Sequence, residues 1–260
     1  MNPNDWTRFA AFANELADAA RIHVMKYFKT NVESERKNDQ SPVSIADRET
    51  EQLMCELISR RFPDHGIVGE EFASVQPDSD LCWVLDPIDG TKSFLTGKPT
   101  FGILIALLHE NTPVLGVIDS PVLHERWLGI NNHGSTHNAN VCNTNKNKAL
   151  ADAWIHATTI DMFDDNERLV FDTVTKRARG RLFGADCYAY GLLASGHTDI
   201  VMEAAMGSYD YLALVPVVEN AGGCVTDWDG KPLTLDSGSQ VVATANEALH
   251  EQILDIIKNA

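Results

Sequence analysis

Residues 83–94 read Trp83-Val84-Leu85-Asp86-Pro87-Ile88-Asp89-Gly90-Thr91-Lys92-Ser93-Phe94. An apolar run that is typical of a strand ends in two aspartates, Asp86 and Asp89, with Pro87 stiffening the backbone between them. Gly90-Thr91 then turns the chain and exposes backbone N–H groups where a helix can begin. Carboxylates beside free N–H groups suit a complex of Mg²⁺ and phosphate, whereas most Asp-Pro and Asp-Gly pairs only cap turns. The segment alone leaves both interpretations open, and a metal site requires further carboxylates.

Composition limits the partners of this chain. Its 260 residues are 44% hydrophobic and 22% charged, which is ordinary for one large globular domain or two coupled subdomains. The 21 basic and 37 acidic side chains give a formal charge of −16, which argues against nucleic acid or an anionic membrane as the main partner. A phosphorylated small molecule stays compatible, because a bound divalent metal reverses the local charge.

Cysteine usage and hydropathy predict a cytoplasmic enzyme. The five cysteines are widely spaced and form no C-x-x-C pair, so neither a disulfide framework nor a cysteine-based zinc site is expected. No basic stretch followed by an apolar core marks a secretory signal, and the longest apolar runs are too short to cross a bilayer.

The first half of the chain predicts two helices and a largely antiparallel sheet. Apolar residues at helical spacing indicate a helix over 5–29, an exposed polar loop follows at 30–43, and Ser44 is suited to cap a second helix that ends near Phe62. Strands are expected at 66–71, 101–109 and 113–130, and a boundary loop at 131–148. Asp47 then falls in the first turn of the second helix, where an acid is favourable to the helix dipole in any protein.

The second half predicts an α/β arrangement, because strands and helices alternate. Strands are expected at 153–158, 199–203, 224–227 and 240–244, and helices at 164–179, 187–195, 209–221 and 247–258. The change of rhythm predicts an N-terminal α+β subdomain over 1–145 and a C-terminal α/β subdomain over 146–260.

Four acidic groups are candidates to complete a metal site. They are Glu70-Glu71, Asp86 with Asp89, Asp210 and Asp47, and each lies at the end of a predicted strand or the start of a predicted helix. Open α/β folds place ligands at such ends. Two Mg²⁺ ions roughly 3.5–4 Å apart need about four acidic groups, so the number fits, although one sequence does not prove that these groups meet in space.

Four segments, in order between about residues 37 and 230, resemble the inositol-monophosphatase family of metal-dependent phosphatases. They are the 37–47 loop-to-helix segment ending in Asp47, Gly69-Glu70-Glu71, the 83–94 segment, and Tyr209-Asp210 leading to Ala221-Gly222-Gly223. One departure is Tyr209, where many members have Trp. The resemblance implies a layered α+β and α/β sandwich, the sugar-phosphatase fold, with most metal ligands in the first half and the last ligand in the second.

Carried over by position, the resemblance implies a set of ligand and catalytic roles. Glu70, Asp86 and the Ile88 carbonyl would bind one Mg²⁺, and Asp86, Asp89 and Asp210 a second, with a weaker third ion on Glu70. Gly90 and Thr91 would offer N–H groups to the phosphate, and Asp47 and Thr91 would orient a metal-bound water as the nucleophile. Glu71 receives no ligand role. A homodimer is also implied.

Residues of the second half are expected to choose the phosphate ester. The segments 91–99, 186–196 and 209–219 are similar to the histidinol-phosphate phosphatase branch, which implies hydrolysis of L-histidinol phosphate, a small-molecule phosphate monoester, in histidine biosynthesis. Asp186 and Glu203 are acids that suit the ammonium and imidazole of that substrate. Asp186 is also placed to cap the following helix, and Arg181 either pairs with one of these acids or steers phosphate.

Two other functions stay open at this point. One is an inositol 1-phosphate or broad sugar-phosphate monophosphatase with the same metal site. The other is a non-catalytic metal-binding or regulatory protein that retains the fold.

Overall fold

The computed structural model describes residues 3–30, 34–36 and 42–260. The helices in these ranges are α1 (Pro3–Val24), α2 (Ile45–Arg61), α3 (Thr91–Leu95), α4 (Asp165–Thr175), α5 (Tyr188–Ala194), α6 (Ser208–Tyr211), α7 (Leu214–Glu219) and α8 (Glu247–Lys258). The strands are β1 (Ser34–Arg36), β2 (Pro42–Ser44), β3 (Gly66–Gly69), β4 (Leu81–Asp89), β5 (Gly102–His109), β6 (Thr112–Ser120), β7 (Glu125–Ile130), β8 (Gly134–His137), β9 (Asn140–Cys142), β10 (Trp154–Ala157), β11 (Gly180–Phe183), β12 (Ile200–Glu203), β13 (Cys224–Thr226) and β14 (Val241–Thr244).

The first large sheet has seven strands in the order β3-β4-β5-β6-β7-β8-β9. Only the β3–β4 pair is parallel, and the other pairs are antiparallel. This confirms the prediction of a largely antiparallel sheet, which the uninterrupted succession of strands requires.

Both faces of the seven-stranded sheet are buried, because its central strands are apolar on successive residues. In β4, Trp83 and Leu85 pack in a core with side chains of α1 and α2, whereas Cys82 and Val84 pack on the opposite face with side chains of α5 and α7. Strand side chains alternate between faces, so the continuous apolar run in β4 supplies two separate cores.

The second sheet has five strands in the order β11-β10-β12-β14-β13. Strand β10 is parallel to β11 and β12, and β14 is antiparallel to β12 and β13. Val201 points to the core that contains α5 and α7, and its neighbours Ile200 and Met202 point to a third core with α4 and α8.

The layers therefore run α1/α2, seven-stranded sheet, α5/α7, five-stranded sheet, α4/α8. This confirms the predicted layered α+β and α/β sandwich. The central core contains side chains from both halves of the chain, such as Val84 and Val201. The division into subdomains at 145/146 stays a prediction.

Several predicted boundaries differ from the structure. Helix α1 ends at Val24, five residues early, and Lys29 has a φ of 59° that no helix continues through. The predicted boundary loop 131–148 contains the β8 and β9 hairpin, and the predicted loop 30–43 contains β1 and most of β2, while residues 31–33 and 37–41 lie outside the described ranges. These strands are short and polar, so the sequence pattern does not reveal them.

The predicted helix 209–221 is two helices, α6 and α7. Pro216 explains the interruption, because it has no N–H to bond to a carbonyl one turn earlier and its ring crowds that carbonyl. The sequence does not predict strand β11, because its residues show no clear alternation of apolar and polar side chains. In the structure, most of this strand is exposed.

All five cysteines are free thiols. Across residues 3–30, 34–36 and 42–260, no helix combines the length and apolarity that crossing a membrane requires.

Candidate metal and phosphate site

A bulge in β4 brings Asp86 and Asp89 to the same side of the sheet. The register with β5 shifts between them, so that Asp86 lies opposite Leu104 and Asp89 lies opposite Gly102. In a regular strand, residues three apart point to opposite faces, and the extra residue of a bulge corrects this. The Ile88 N–H donates to Asp86 Oδ1 at 2.9 Å, which holds the turn between the two acids.

Asp210 joins these two aspartates from the other half of the chain. One carboxylate oxygen of each of Asp86, Asp89 and Asp210 lies within 4.8 Å of the others. Asp210 is in the first turn of α6, where its Oδ2 accepts the Gly207 N–H at 2.6 Å. Asp89 Oδ2 accepts the Cys187 N–H at 2.7 Å. Backbone donors thus orient each carboxylate toward a common centre, and the donors are local for Asp86 and Asp210 but come from the second half of the chain for Asp89.

Glu70 belongs to the same cluster by its electric field. Burial raises the pKa of Asp86 well above its ordinary value, and the charges of Glu70, Asp89 and Asp210 raise it further. Burial raises the pKa of Asp210 to about 7, and Glu70 again contributes in the same direction. Burial and the charges of Asp186 and Asp210 also raise the pKa of Asp89 well above its ordinary value. Such mutual repulsion in a buried site calls for a compensating cation.

Asp47 and Thr91 lie together beside this cluster. Thr91 Oγ1 is 3.5 Å from Asp47 Oδ1 and 3.3 Å from the Ile88 carbonyl. Asp47 is fully buried, and its Oδ2 accepts the Ser44 N–H at 2.8 Å and the Ser44 hydroxyl at 2.6 Å. Asp47 therefore completes a capping box on α2 with one oxygen and faces Thr91 with the other. Asp47 thus stabilises the start of α2, as its position in the first turn suggested, and it also lies next to Thr91. Burial raises the pKa of Asp47.

Gly90 is the turn residue between the acids and α3. Its φ of 80° lies in the left-handed region, which favours glycine. A Cβ at this position would also lie 2.7 Å from Asp186 Cγ. As the N-cap of α3, Gly90 leads into backbone N–H groups that have no carbonyl partner within the helix.

Asp186 lies against the same turn, and the structure shows what its carboxylate contacts. Its Oδ2 accepts the Ser93 hydroxyl at 2.7 Å and the Thr100 hydroxyl at 2.5 Å. The N-cap of α5 is Cys187, without a side-chain capping hydrogen bond. The capping alternative for Asp186 is therefore wrong, because this carboxylate links α5 to the α3 region instead.

Glu203 is buried at the end of β12 and has a donor for each oxygen. Oε1 accepts the Thr158 N–H at 2.7 Å, and Oε2 accepts the Tyr190 hydroxyl at 3.0 Å. Burial raises the pKa of Glu203, and the charge of Asp186 adds to this. Glu203 in turn raises the pKa of Asp210. Asp186 and Glu203 are thus close enough to the metal cluster for their charges to act on it.

Arg181 lies on the exposed β11 strand. Its guanidinium forms an ion pair with Asp172 of α4 and lies over the rings of Phe171 and Phe183, 5.9 and 5.7 Å from their centroids. The expectation that Arg181 pairs with Asp186 or Glu203 is wrong, since its acidic partner is Asp172.

Comparisons with known proteins agree with this geometry. The sequence model of a protein family, described as "Inositol monophosphatase family", matches residues 5–260. The chain belongs to the inositol monophosphatase family.

Individual members of the inositol monophosphatase family cover nearly the whole chain. A bifunctional phosphatase, IMPL2, of Arabidopsis thaliana is 42% identical over 99% of this chain and 77% of its own length. A histidinol-phosphatase of Chlorobaculum parvum is 34% identical over 95% of each chain. The solved structure of an inositol monophosphatase from Zymomonas mobilis is 38% identical, with a TM-score of 0.90 over 97% of this chain and 98% of that one. This chain is accordingly a phosphatase of the family.

The donor set of this inositol monophosphatase family member fits a hard divalent cation. Carboxylate and carbonyl oxygens are the ligands that Mg²⁺ prefers. Here the Asp86, Asp89 and Asp210 oxygens converge within 4.8 Å, and burial, together with the charges of neighbouring carboxylates, raises the pKa values of all three. A cation between them would relieve the repulsion, so the residues present suit the metal that the family requires.

Sequence reasoning missed one buried acid of this site, Glu51. Its side chain is fully buried on α2 and accepts backbone N–H groups just after Glu70. A signal was present: Asp47, Glu51, Met54 and Ile58 recur at helical spacing and all four are buried. An acid within an apolar stripe predicts a buried polar contact. The hydroxyl partners of Asp186, Ser93 and Thr100, gave no such signal.

Proposed function

We propose that this chain is a Mg²⁺-dependent phosphomonoesterase that hydrolyses L-histidinol phosphate to L-histidinol and phosphate. The observation that carries the choice of substrate is a second pair of buried carboxylates, Asp186 and Glu203, next to the metal cluster. The alcohol of this substrate carries an ammonium and an imidazole, which complement carboxylates, whereas inositol presents neutral hydroxyls. Each carboxylate oxygen retains further acceptor capacity beyond the hydrogen bonds already made.

The names of two relatives support this choice. The Chlorobaculum parvum protein and a 33% identical protein of Streptomyces coelicolor are both named histidinol-phosphatase. The position of Glu203 gives further support. Its charge raises the pKa of Asp210, yet it lies on β12, apart from the Gly90-Thr91 turn that is proposed to bind phosphate.

The proposed ligands follow the family resemblance, and the convergence of Asp86, Asp89 and Asp210 supports the assignment. Glu70, Asp86 and the Ile88 carbonyl would hold one Mg²⁺, and Asp86, Asp89 and Asp210 a second, with a weaker third on Glu70. Bound Mg²⁺ supplies the charge compensation and water activation of a metal-dependent phosphatase. Gly90 and Thr91 would donate backbone N–H groups to phosphate oxygens.

Thr91 and Asp47 would orient the attacking water and accept its proton. The Thr91 hydroxyl has two acceptors within reach, Asp47 Oδ1 at 3.5 Å and the Ile88 carbonyl at 3.3 Å. When it donates to Asp47, its lone pairs can accept a hydrogen bond from water. A buried carboxylate with a raised pKa is a better general base than an exposed one. A bond then forms from the water oxygen to phosphorus, the ester P–O bond breaks, and the alcohol leaves with a proton from solvent. This single displacement predicts inversion at phosphorus.

A second candidate is an inositol 1-phosphate or broad sugar-phosphate monophosphatase. Two observations favour it. The 38% identical structure is described as an inositol monophosphatase, and Asp186 and Glu203 each already accept two hydrogen bonds from the protein, which leaves them less acceptor capacity for a substrate cation.

The two candidates are separated by kcat/KM for histidinol phosphate and inositol 1-phosphate. We expect histidinol phosphate to be preferred, and the preference to fall by about 10-fold or more in Glu203→Gln, because a hydrogen bond to a charged group is worth roughly 1.5–3 kcal/mol. Gln keeps the shape and removes the charge, and inositol 1-phosphate serves as the internal control. Faster turnover of inositol 1-phosphate by the unmodified protein would defeat the histidinol phosphate proposal.

We further propose a homodimer, following the family resemblance, and a cytoplasmic location, following the cysteine usage and hydropathy of the sequence. Light scattering in solution tests the assembly. A mass of 28.6 kDa, that of one chain, would contradict the dimer.

A further inference from the structure

Glu51 is a fully buried carboxylate that holds the backbone next to Glu70. Its Oε2 accepts the Glu71 N–H at 2.9 Å, and its Oε1 accepts the Phe72 N–H at 3.0 Å. Burying a carboxylate is costly unless donors satisfy it. Here the donors are consecutive amides of the turn that follows β3, so the interaction fixes the backbone path at this point.

The residue before Glu70 is shaped to admit this carboxylate. A Cβ added at Gly69 would lie 1.9 Å from Glu51 Oε1 and 2.4 Å from Glu51 Cδ. Gly69 therefore leaves the space that the Glu51 side chain occupies. Glu70 is thus flanked on one side by a residue in contact with Glu51 and on the other by a residue hydrogen-bonded to it.

The turn that Glu51 holds carries Glu70, which is proposed to bind Mg²⁺ together with Asp86. Glu70 raises the pKa values of Asp86 and Asp210, which lie at the ends of other elements. Asp47 lies one helical turn before Glu51 on α2 and faces Thr91. Helix α2 consequently supports both features with two acids one helical turn apart on the same face: Glu51 holds the Glu70 turn, and Asp47 faces Thr91.

We propose that Glu51 is a positioning residue, which sets where the Glu70 carboxylate lies relative to Asp86 and Asp210 and so sets the affinity of the site for Mg²⁺. This inference rests on the proposed metal-dependent function. Outer-shell partners of metal ligands typically change metal affinity by 10- to 100-fold when altered. A purely structural role would lower stability and leave Mg²⁺ affinity unchanged.

The test is Glu51→Gln, with Mg²⁺ binding measured without substrate. Gln keeps the volume but points an NH₂ group at one of the two amides. We expect the Mg²⁺ concentration for half-maximal thermal stabilisation to rise by about 10-fold. In assays, kcat at saturating Mg²⁺ should change by less than about threefold, because Glu51 acts through Glu70 and touches neither substrate nor reacting atoms.

Asp199→Asn is the matched control. Asp199 is also a buried carboxylate that accepts a backbone N–H, from Trp154 at 2.9 Å, but it directly precedes β12 of the five-stranded sheet, where it also pairs with Lys148. This variant should lower the melting temperature without moving the Mg²⁺ midpoint. If Glu51→Gln behaves in the same way, the inference is overturned.

Gly69→Ala approaches the same contact from the turn and carries the test if Glu51→Gln does not fold. It should also raise the Mg²⁺ midpoint, and an unmoved midpoint in a folded Gly69→Ala protein would count against the inference. A wild-type protein that shows no response to Mg²⁺ would overturn the metal site itself together with the role of Glu51. A normal wild-type response with unmoved variants overturns only the role of Glu51.

Discussion

Asp86 and Glu203 are both buried carboxylates of one site, yet they differ in what surrounds them. Asp86 accepts the Ile88 N–H, and the charges around it that raise its pKa are three other carboxylates. Glu203 has a protein donor for each oxygen, the Thr158 N–H and the Tyr190 hydroxyl. Crowding by like charges marks an acid that needs a cation, whereas protein donors stabilise Glu203 in the fold and leave only its remaining lone pairs for a substrate cation.

The largest effect should come from Asp210→Asn. This change removes one carboxylate of the crowded group, and we expect kcat/KM to fall by about 10³-fold or more, because loss of a metal ligand forfeits several kcal/mol of transition-state stabilisation. Mg²⁺ should raise the melting temperature of this variant less than that of wild type, because only the proposed ligands of the other ion, Glu70, Asp86 and the Ile88 carbonyl, stay intact. Glu203→Gln is the comparison on the other side of the site: it should retain the Mg²⁺ response. Equal loss of the Mg²⁺ response in both variants would break the distinction between the two kinds of acid.

Thr91→Val should have the next largest effect. It removes the hydroxyl between Asp47 and the proposed water and keeps the side-chain shape, so kcat should fall by about 10²-fold, within the range of general acid–base catalysis. Thr91→Ser is the control and should retain activity within a few fold. Mg²⁺ binding in the absence of substrate should persist in both variants. Activity near wild type in Thr91→Val would exclude the hydroxyl from the proton path.

The pH dependence of stability should differ between wild type and Asp210→Asn in EDTA. The folded-state pKa of Asp210 is raised to about 7 from 3.8, chiefly by burial. Between these pH values the folded protein binds more protons than the unfolded chain, so the contribution of Asp210 to the free energy of unfolding falls as the pH rises. We expect the melting temperature of Asp210→Asn to exceed that of wild type increasingly from pH 5 to pH 7.5, by roughly 2–4 °C per kcal/mol.

Mg²⁺ should reverse that order, because a bound cation turns the repulsion into attraction. Groups that titrate equally in both proteins, such as His250, whose pKa burial lowers to about 4, cancel in the difference. If the melting-temperature difference between wild type and Asp210→Asn does not change with pH, ionisation of Asp210 does not destabilise the metal-free fold.

The smallest effect should come from Arg181→Gln. The Arg181 side chain is half exposed and pairs with Asp172, and exposed ion pairs contribute roughly 0–1 kcal/mol. We expect kcat/KM for histidinol phosphate to change by less than about twofold, and the melting temperature by a few degrees at most. A loss of 10-fold or more in kcat/KM would return Arg181 to the group of substrate-binding residues.

Predictions from sequence succeeded where neighbouring residues decide the structure. The helix predicted at 247–258 is α8, and the capping residue predicted at Ser44 is the N-cap of α2. They failed where a distant contact or a single residue intervenes. Pro216 splits a predicted helix, and the polar β8 and β9 hairpin forms because it adds to the edge of an existing sheet.

The sequence by itself determined the spacing of Asp86, Ile88, Asp89 and Gly90, the capping box of Asp47 and the family to which they belong, because these depend on residues a few positions apart. Only the tertiary structure decided which other groups meet them. Packing of the second half on the first brings Asp210 to Asp89, and Asp186 to Ser93 and Thr100. Packing of α2 brings Glu51 to the turn after Glu70. Contacts between residues so far apart in the chain are set by how the layers pack, and the local pattern of residues carries no record of that packing.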